Sequence, residues 1–298
     1  MKRKLLFVIN ENAGTKSKKG IEDYVRTQCE AENLDYQILM LGKNINVFSI
    51  QFMAEEFEAT DLIACGGDGT INLVANACKN TSIRLGIIPA GSGNGLALSA
   101  GLPRKVQEAW DIIKRADCRE IDSFCVNKKF GCMLAGLGMD AEVAERFSHS
   151  HRRGLITYTR EAFMAFFRAN PYQFQVNIDG FEFFTESYFI SVANSNQFGN
   201  NFTIAPQAKL TDGLLDIVMV QKMSKARIPF ALLSQIRGNN QLRNIAEKVT
   251  AGPVVYFQAP EIQITNLKYA PMHIDGDPVD IEEHIRIKLE KGTIRLMI

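Results

Sequence analysis

Short apolar runs alternate with helical patterns over the first part of the chain. Residues 5–9 are continuously apolar, as in a buried strand, and residues 21–32 repeat apolar positions at the spacing of one helix face. The two patterns then recur along the chain. Further strands are predicted at residues 36–41, 62–65 and 84–88, and further helices at residues 48–57, 71–78 and 106–116. Repeated β-α units predict an α/β fold with a parallel sheet that binds ligands at the carboxyl ends of its strands.

After about residue 122 the chain becomes rich in β patterns, and apolar positions alternate at Ile285, Ile287 and Leu289. Such patterns favour strands in an antiparallel assembly. Strands are predicted at residues 173–178, 187–193, 215–220, 254–258, 262–265 and 285–289. Helical stretches are predicted at residues 153–168 and 226–238, and Lys291-Gly292 is expected to form the turn of a hairpin. The chain is long enough for two domains, each with its own core.

A glycine-rich turn lies between the strand at 62–65 and the helix that follows it. Gly66, Gly67 and Gly69 leave no side chain between the backbone amides and a bulky anion, so phosphate is the expected ligand. The helix would point its free N–H groups at the same place, with Thr70 as its cap. Asp68 would repel bare phosphate, so we expect a divalent cation or a reacting hydroxyl beside it. An ordinary tight turn with a surface Asp is the alternative.

A second glycine-rich stretch follows the strand at 84–88. Ser92 and Asn94 can hydrogen-bond a phosphate or hydroxyl where the backbone cannot reach. Gly91, Gly93 and Gly95 also match the start of a dinucleotide-binding fingerprint, although the required acidic partner is not evident in the sequence. A Rossmann dinucleotide site is therefore kept as an alternative.

Composition narrows the class of protein. A formal net charge of +1 and a pI near 7.6 leave no electrostatic basis for binding nucleic acid. The six cysteines lack metal-ligand spacing and are expected to be reduced core thiols of a cytosolic protein. No apolar run reaches the length of about 18 residues that a membrane span needs, so a soluble protein is expected.

Together the two glycine loops resemble those of the diacylglycerol kinase and sphingosine kinase superfamily, which includes the soluble bacterial lipid kinases. The first loop alone also occurs in NAD kinases and phosphofructokinases, so further matches are needed to decide. Residues 10–14 resemble the Asn-Pro-x-x-Gly loop of the family, with Glu11 in place of the proline. Further resembling segments are residues 135–143, 194–199, 205–216 and 274–278, the last with Asp277 where the family has Glu.

The resemblance implies an α/β plus all-β fold: an N-terminal Rossmann-like nucleotide domain of the NAD kinase and phosphofructokinase kind, and a C-terminal β-sandwich. The first domain would span residues 1–122, with residues 285–298 returning to it, and the second residues 123–284. ATP and Mg²⁺ would bind in the cleft between them. The residues expected to contact the nucleotide are Asn10, Gly14, Gly66, Gly67, Gly69, Thr70, Gly91, Ser92 and Asn94.

Phosphoryl transfer needs an aligned hydroxyl, a metal ion that spreads charge, and donors around the phosphates. We expect Asp68 and Asp277 to hold the catalytic Mg²⁺, because hard oxygen ligands suit this ion. Asp275 is expected to be the base that deprotonates the lipid hydroxyl. The resemblance to sphingosine kinases implies that role for Asp68 instead. A plain turn between strands is the alternative interpretation of residues 275–278.

A structural metal site is also implied by the resemblance. In the bacterial relatives the segment around Asp212 holds Mg²⁺ together with backbone carbonyls that map to Lys209 and Leu214. Without the resemblance, residues 211–213 would be interpreted as an Asx turn.

The substrate side is suggested by a few residues. Diacylglycerol kinase-like members carry Asp at the position of Gly95. The glycine makes this loop more similar to that of sphingosine and ceramide kinase-like sequences. Asp140 would then meet the head of a sphingoid base, or else face solvent at a helix start. Arg152 or Arg153 is expected to reach the transferred phosphate or anionic headgroups. Large apolar side chains between residues 163 and 184 belong either to the core or to a lipid pocket.

These observations predict an ATP- and Mg²⁺-dependent kinase that phosphorylates a hydroxyl of a lipid, either diacylglycerol or a sphingoid-base or ceramide-like lipid. It would act from the cytosol at the membrane surface, and a homodimer is left open. The alternatives are an NAD kinase-like enzyme and a nucleotide- or lipid-binding protein without catalysis. Glu11 and Asp277, which depart from the family pattern, favour the last of these.

Overall fold

The computed structural model describes residues 2–10, 19–42, 45–139, 141–142, 170–197, 203–238 and 253–298. The chain divides into two compact units. The first comprises Met1–Ile121 and Gly292–Ile298, and the second comprises Asp122–Lys291. The helical stretch predicted at residues 153–168 lies outside the described residues.

The first unit is an α/β fold. Its elements are β1 (Lys4–Ile9), α1 (Lys19–Ala31), β2 (Asp35–Met40), α2 (Val47–Phe57), β3 (Asp61–Gly66), α3 (Asp68–Cys78), β4 (Arg84–Pro89), α4 (Gly95–Ser99) and α5 (Val106–Arg115). All strands and helices predicted for this part are confirmed, and α4 was not predicted. Strands β2, β1, β3 and β4 pair in parallel in that order, so their carboxyl ends share one edge of the sheet.

Helices pack on the sheet of the first unit, which explains the apolar central strands β1 and β3. Leu5, Phe7 and Ile9 alternate on the face that packs against α1 and α5. Phe7 stacks on the only tryptophan, Trp110, with the ring centroids 6.2 Å apart. At the amino end of the sheet, the buried carboxylate of Asp61 pairs with Arg3 and Arg84 and so ties three strands together. This core fixes where the loops at the opposite edge begin.

The cysteines give a first testable prediction. All six are free thiols, and only Cys118 and Cys125 are partly exposed. Burial raises the pKa of Cys29 to about 12 and also raises the pKa of Cys65 and Cys78. The thiolate is the nucleophile, so buried thiols should be inert. We expect Ellman's reagent to label at most two thiols in the folded protein and all six in denaturant. Rapid labelling of three or more in the folded protein would contradict this core.

The second unit is built from antiparallel strands, of which the first, β5, begins in the first unit and the last, β15, ends there. Its elements are β5 (Cys118–Val126), β6 (Lys129–Gly131), β7 (Leu134–Gly138), β8 (Tyr172–Ile178), β9 (Phe181–Ala193), β10 (Leu215–Gln221), a 3₁₀ turn (Lys225–Arg227), α6 (Ile228–Ile236), β11 (Val254–Ala259), β12 (Glu261–Asn266), β13 (Met272–Ile274), β14 (Asp277–Val279) and β15 (His284–Met297). The strands β14-β13-β7-β9-β8-β12-β15 pair in that order, and β10 pairs with β9 and β11.

Strand β10 is buried on both faces. Ile217 and Met219 point into one apolar core, whereas Val218 and Val220 point into a second core that also contains Ile228 of α6. This two-sided burial explains why the predicted strand at 215–220 is continuously apolar. The helical prediction at 226–238 is confirmed by the 3₁₀ turn and α6.

The hairpin predicted at Lys291-Gly292 is wrong. Strand β15 runs without interruption from His284 to Met297, and Gly292 lies within it at φ 60°. The two halves do not pair with each other, because each has another partner. The first half pairs antiparallel with β12, and the last residues pair in parallel with β4.

A tight turn that the sequence analysis overlooked lengthens β9. Ile178 pairs with Phe181 across the two-residue loop Asp179-Gly180, whose residues have φ values of 50° and 82°. Asp-Gly is the preferred sequence for such a turn. Strand β9 therefore begins at Phe181 rather than at residue 187. Phe181 and Phe184, two of the candidates for a lipid pocket, are exposed on this strand, and Phe183 packs against the core.

Candidate functional site

Three loops of the first unit meet at the carboxyl edge of its parallel sheet. Asn10 follows β1, the first glycine turn follows β3, and the second follows β4. The loops are joined by backbone hydrogen bonds: the amide of Ala90 donates to the carbonyl of Gly66 at 2.8 Å, and that of Asn10 donates to Cys65 at 3.1 Å. This edge is where open α/β sheets bind ligands.

The two glycine loops are in direct backbone contact. A Cβ atom added to Gly91 would lie 2.4 Å from Cα of Gly67, and one added to Gly67 would lie 3.2 Å from Cα of Gly91. A Cβ at Gly66 would lie 2.4 Å from Oγ1 of Thr70. A side chain at Gly91 would displace backbone, one at Gly66 would displace the Thr70 side chain, and one at Gly67 would press on Gly91. The closeness joins the two loops into one surface, on which Gly69 and Ser92 are exposed.

Asp68 bonds the first loop to the second. Its carboxylate accepts hydrogen bonds from the backbone amides of Asn94, at 2.9 Å, and Gly95, at 2.6 Å. Gly95 is the first residue of α4, so Asp68 supplies an anion at the start of this short helix. The sequence analysis predicted a cation or a hydroxyl beside Asp68. In the structure, the neighbours of its carboxylate include two backbone amides. The carboxylate remains partly exposed.

Thr70 is not a helix cap, which corrects the prediction made for it. The cap of α3 is Gly67, which has no side chain to bond the helix, and Thr70 is the third helical residue. Thr70 is buried, and its hydroxyl accepts a hydrogen bond from Nδ2 of Asn10 at 3.1 Å. Thr70 and Asn10 thus connect the loop after β1 to the first glycine loop.

The side chain of Asn94 folds back on its own loop. Its Oδ1 accepts from the amide of Gly91, and its Nδ2 donates to the carbonyl of Gly91, both at 2.9 Å. Asn94 is buried and has φ 57° in the left-handed region, where asparagine is tolerated. These contacts show that Asn94 stabilises the conformation of the loop. Ser92 is the exposed side chain of the loop.

Asp275 of the second unit is the first residue of a two-residue turn between β13 and β14. Ile274 pairs with Asp277 across Asp275-Gly276, which have φ values of 51° and 92°. The turn that the sequence analysis kept as an alternative is therefore present, and it matches the Asp-Gly preference for this hairpin.

The Asp275 carboxylate is buried and receives four hydrogen bonds. Oδ1 accepts from the amides of Met133, at 2.8 Å, and Leu134, at 2.9 Å. Oδ2 accepts from the amide of Cys132 at 2.9 Å and from its thiol at 3.3 Å. An ionised carboxylate has about four acceptor positions, and these donors match that number. Asp275 therefore anchors residues 132–134 to the hairpin, a role that the sequence did not indicate.

Asp277 has a different environment. It is exposed at the start of β14. Its pKa is raised, first because protein atoms around the carboxyl remove part of its hydration, and second because the Asp275 carboxylate is near; His273 has the opposite effect. Of the two carboxylates in this hairpin, only that of Asp277 belongs to an exposed residue.

The proposed structural metal segment forms an Asx turn. Oδ1 of Asp212 accepts from the amide of Leu214 at 3.1 Å, and both Asp212 and Lys209 are exposed. The buried Asp122 accepts from the amide of Gly213 at 2.8 Å and so holds the loop in place. Among the described residues, no group of three His, Cys, Asp or Glu side chains could hold a metal. A metal here would depend on Asp212 and backbone carbonyls.

Asp216, two residues further on, belongs to a buried polar cluster. It accepts hydrogen bonds from the Tyr256 hydroxyl and from Nε2 of Gln258, the latter at 3.0 Å. Burial raises its pKa to about 6, although both hydrogen bonds act in the opposite direction. In the unfolded chain the pKa of Asp216 would be near 3.8, so folding shifts the pH at which this carboxyl titrates.

This titration predicts a pH dependence of stability. Between about pH 4 and 6 Asp216 binds more protons in the folded protein than in the unfolded chain, so its contribution to the free energy of unfolding falls as pH rises through this window. The shift corresponds to a fall of at most about 3 kcal/mol. We expect Asp216→Asn to lack this fall when both proteins are unfolded by urea in buffer with a chelator. Superimposable pH profiles of wild type and variant would contradict the assignment.

Several predicted site residues lie outside the described residues: Gly14 of the nucleotide set, and Asp140, Arg152 and Arg153 of the substrate set. The remaining predicted residues form separate groups within each unit. In the first unit, Asn10, both glycine loops and Asp68 come together. In the second, Asp275 and Asp277 share a hairpin, and Asp212 lies in a different loop.

Comparisons with known proteins agree with these motifs. Residues 4–126 match the diacylglycerol kinase catalytic domain, and residues 134–294 match the YegS C-terminal NAD kinase beta sandwich-like domain. The lipid kinase YegS of Escherichia coli (strain K12) is 29% identical over 246 residues, covering 78% of this chain and 77% of that protein. The diacylglycerol kinase of Bacillus subtilis (strain 168) is 26% identical over 248 residues, covering 77% of this chain and 78% of that protein.

A solved structure shows the same fold. The crystal structure of a diacylglycerol kinase from Bacillus anthracis str. Sterne superposes with a TM-score of 0.69 at 19% identity, covering 99% of this chain and 96% of that one. A catalytic domain of this type followed by this β-sandwich defines a class of bacterial-type lipid kinases. The chain belongs to that diacylglycerol kinase and YegS family. In the part of the chain that the structure describes, no helix is long and apolar enough to cross a membrane.

Proposed function

We propose that the protein transfers the γ-phosphate of ATP to a hydroxyl of a membrane lipid, with Mg²⁺ as the metal ion. The observation that carries this proposal is the direct packing of the two glycine loops, with Asp68 bonded to the second loop. The glycine residues expose backbone rather than side chains at the start of α3. Such a backbone surface suits phosphate groups. Family membership agrees with it.

The residues present fit ATP. The close approach of Gly67 and Gly91 leaves no room for a Cβ atom, which keeps the loop surface as bare backbone. The exposed Gly69 and Ser92 and the first amides of α3 would hold the phosphates. When bound, ATP supplies the phosphoryl group. The contribution of the protein is to fix the position of the phosphates and to surround them with donors.

The acidic residues fit one catalytic Mg²⁺, which would neutralise charge on the phosphates. Asp68 is the carboxylate of the first unit that would hold it, since it is partly exposed and already fixed by two amides. Asp275 is less suitable, because its oxygens already accept four hydrogen bonds.

We assign the proton acceptor to Asp277 rather than to Asp275. A general base needs an accessible oxygen and a pKa closer to neutrality than that of an ordinary carboxylate. Asp277 is exposed and its pKa is raised, whereas Asp275 is buried beneath its four donors. Asp275 would then act as a positioning residue that holds the hairpin bearing Asp277.

An acceptor panel tests the proposed function. Purified protein is incubated with γ-labelled ATP and Mg²⁺ against diacylglycerol, sphingosine, ceramide and NAD, each lipid in mixed micelles. We expect label in one or more lipids and none in NAD. Label only in NAD would favour the NAD kinase-like alternative, and label in no acceptor would favour a binding protein without catalysis. Either result would overturn the proposal.

A further inference from the structure

Helix α6 of the second unit exposes an apolar pair flanked by cations. Phe230 is 76% exposed and Leu233 is 44% exposed. Residues three apart are neighbours on a helix surface, so the two side chains form one patch. Arg227 precedes Phe230 by three residues and Arg237 follows Leu233 by four, and both are exposed. Arg227, Phe230, Leu233 and Arg237 therefore lie along a single stripe, here called the α6 face.

The opposite side of the helix fixes this orientation. Ile228 is buried in the second apolar core, and Gln235 is fully buried. Nε2 of Gln235 donates a hydrogen bond to the carbonyl of Ile204 at 2.8 Å. Because successive residues turn by about 100°, these two residues point roughly opposite to Phe230 and Leu233. The apolar pair cannot turn inward without exposing Ile228 and breaking the buried hydrogen bond.

The charged residues of the segment that contains α6 are all basic. No Asp or Glu occurs between residues 217 and 246, a stretch that contains five basic residues: Lys222, Lys225, Arg227, Arg237 and Arg243. Lys222 pairs with Glu186 of β9 at 2.7 Å. Within the described residues, Arg227 and Arg237 form no ion pair. A strongly apolar patch bracketed by cations with no carboxylate partner is suited to an apolar surface that carries negative charge.

We propose that the α6 face docks the protein on an anionic lipid bilayer. This inference rests on the proposed function, in which the acceptor is a lipid. Phe230 and Leu233 would enter the boundary between headgroups and acyl chains, and Arg227 and Arg237 would pair with headgroup phosphates. A second copy of this chain is a poorer occupant, because two-fold pairing would bring this positive face against itself.

The test measures vesicle binding by the full chain without nucleotide. Wild type, Phe230→Ser/Leu233→Ser and Arg227→Gln/Arg237→Gln are sedimented with vesicles of phosphatidylcholine alone or of equimolar phosphatidylcholine and phosphatidylglycerol. We expect wild type to bind the anionic vesicles, and each double variant to bind them about tenfold more weakly. All four side chains are exposed, so thermal unfolding should be unchanged, which shows that the variants are folded.

Helix α2 supplies a matched control. Phe48 and Phe52 are 78% and 60% exposed one helical turn apart, but they are followed by Glu55 and Glu56 instead of cations. Phe48→Ser/Phe52→Ser removes the same kind of side chain from an acidic setting. We expect this variant to bind anionic vesicles as wild type does.

The outcomes separate the two proposals. Weaker binding by the α6 variants with an unchanged α2 variant supports the inference. It is overturned if wild type does not bind, if the α6 variants bind as wild type, if the α2 variant loses binding equally, or if the α6 substitutions convert a wild-type dimer to a monomer in light scattering. Failure of the acceptor panel with soluble short-chain lipids would contradict the kinase proposal without changing the binding result.

Discussion

Gly91→Ala should lower kcat/KM for phosphoryl transfer by about 10²- to 10³-fold. The added Cβ atom would lie 2.4 Å from Cα of Gly67 and 2.9 Å from Oδ1 of Asn94. Backbone cannot move aside as the end of a flexible side chain can, so the two loops must separate. Displacement of a positioning group by about 1 Å is enough for losses of this size. Overpacking should also lower the free energy of unfolding by about 1–3 kcal/mol.

Gly20→Ala is the matched control for this variant. Gly20 lies in α1, and a Cβ added there meets no atom within 4 Å. The same substitution should leave activity unchanged and slightly favour the helix. Steady-state kinetics of both variants, with urea unfolding beside them, check the prediction. Wild-type kinetics for Gly91→Ala would show that the contact between the two loops is unimportant for the reaction.

Asp275→Asn should mainly lower stability and Asp277→Asn should mainly lower activity, although the two residues share one hairpin. Asp275→Asn leaves a single oxygen to face three backbone N–H donors and turns the new amide group toward one of them. We expect a loss of about 3 kcal/mol in the free energy of unfolding, because charge-assisted bonds are broken and buried donors lose their acceptor. Asparagine tolerates the φ of 51°, so backbone strain does not contribute.

Asp277→Asn should keep its stability within about 0.5 kcal/mol, because the residue is exposed. Its activity should fall by about 10²- to 10⁴-fold, since the amide cannot accept the proton of the hydroxyl. Urea unfolding and kcat at saturating ATP separate the two variants. A stable but inactive Asp275→Asn together with an active Asp277→Asn would return the role of base to Asp275.

Local signals in the sequence were enough for nearly all elements of the first unit and for the location of its two glycine loops. The central strands β1 and β3 are apolar over most of their length because they are buried, and this pattern is visible without a structure. The glycine loops follow β3 and β4, so topology alone places them at one edge of the sheet. The turns at residues 179–180 and 275–276 could also be predicted, because Asp-Gly is a preferred sequence for two-residue hairpin turns.

The partners of the acidic residues could not be predicted, because they depend on contacts distant in sequence. Asp68 binds amides 26 and 27 residues away, and Asp275 binds amides up to 143 residues away. Asp122 holds the Asp212 loop across 91 residues. No periodicity encodes such contacts. The hairpin at Lys291-Gly292 failed for the same reason, since the choice between self-pairing and pairing with β12 and β4 is made by the rest of the fold.

The most direct measurement follows label from γ-labelled ATP into lipid micelles for wild type and Asp68→Asn, in Mg²⁺ and in chelator, with urea unfolding to show that both are folded. Asp68 both bonds the two glycine loops together and is the proposed metal ligand of the first unit. We predict transfer by wild type only when Mg²⁺ is present, and little or none by Asp68→Asn. Transfer by Asp68→Asn at the wild-type rate, or transfer that persists in chelator, would contradict the account.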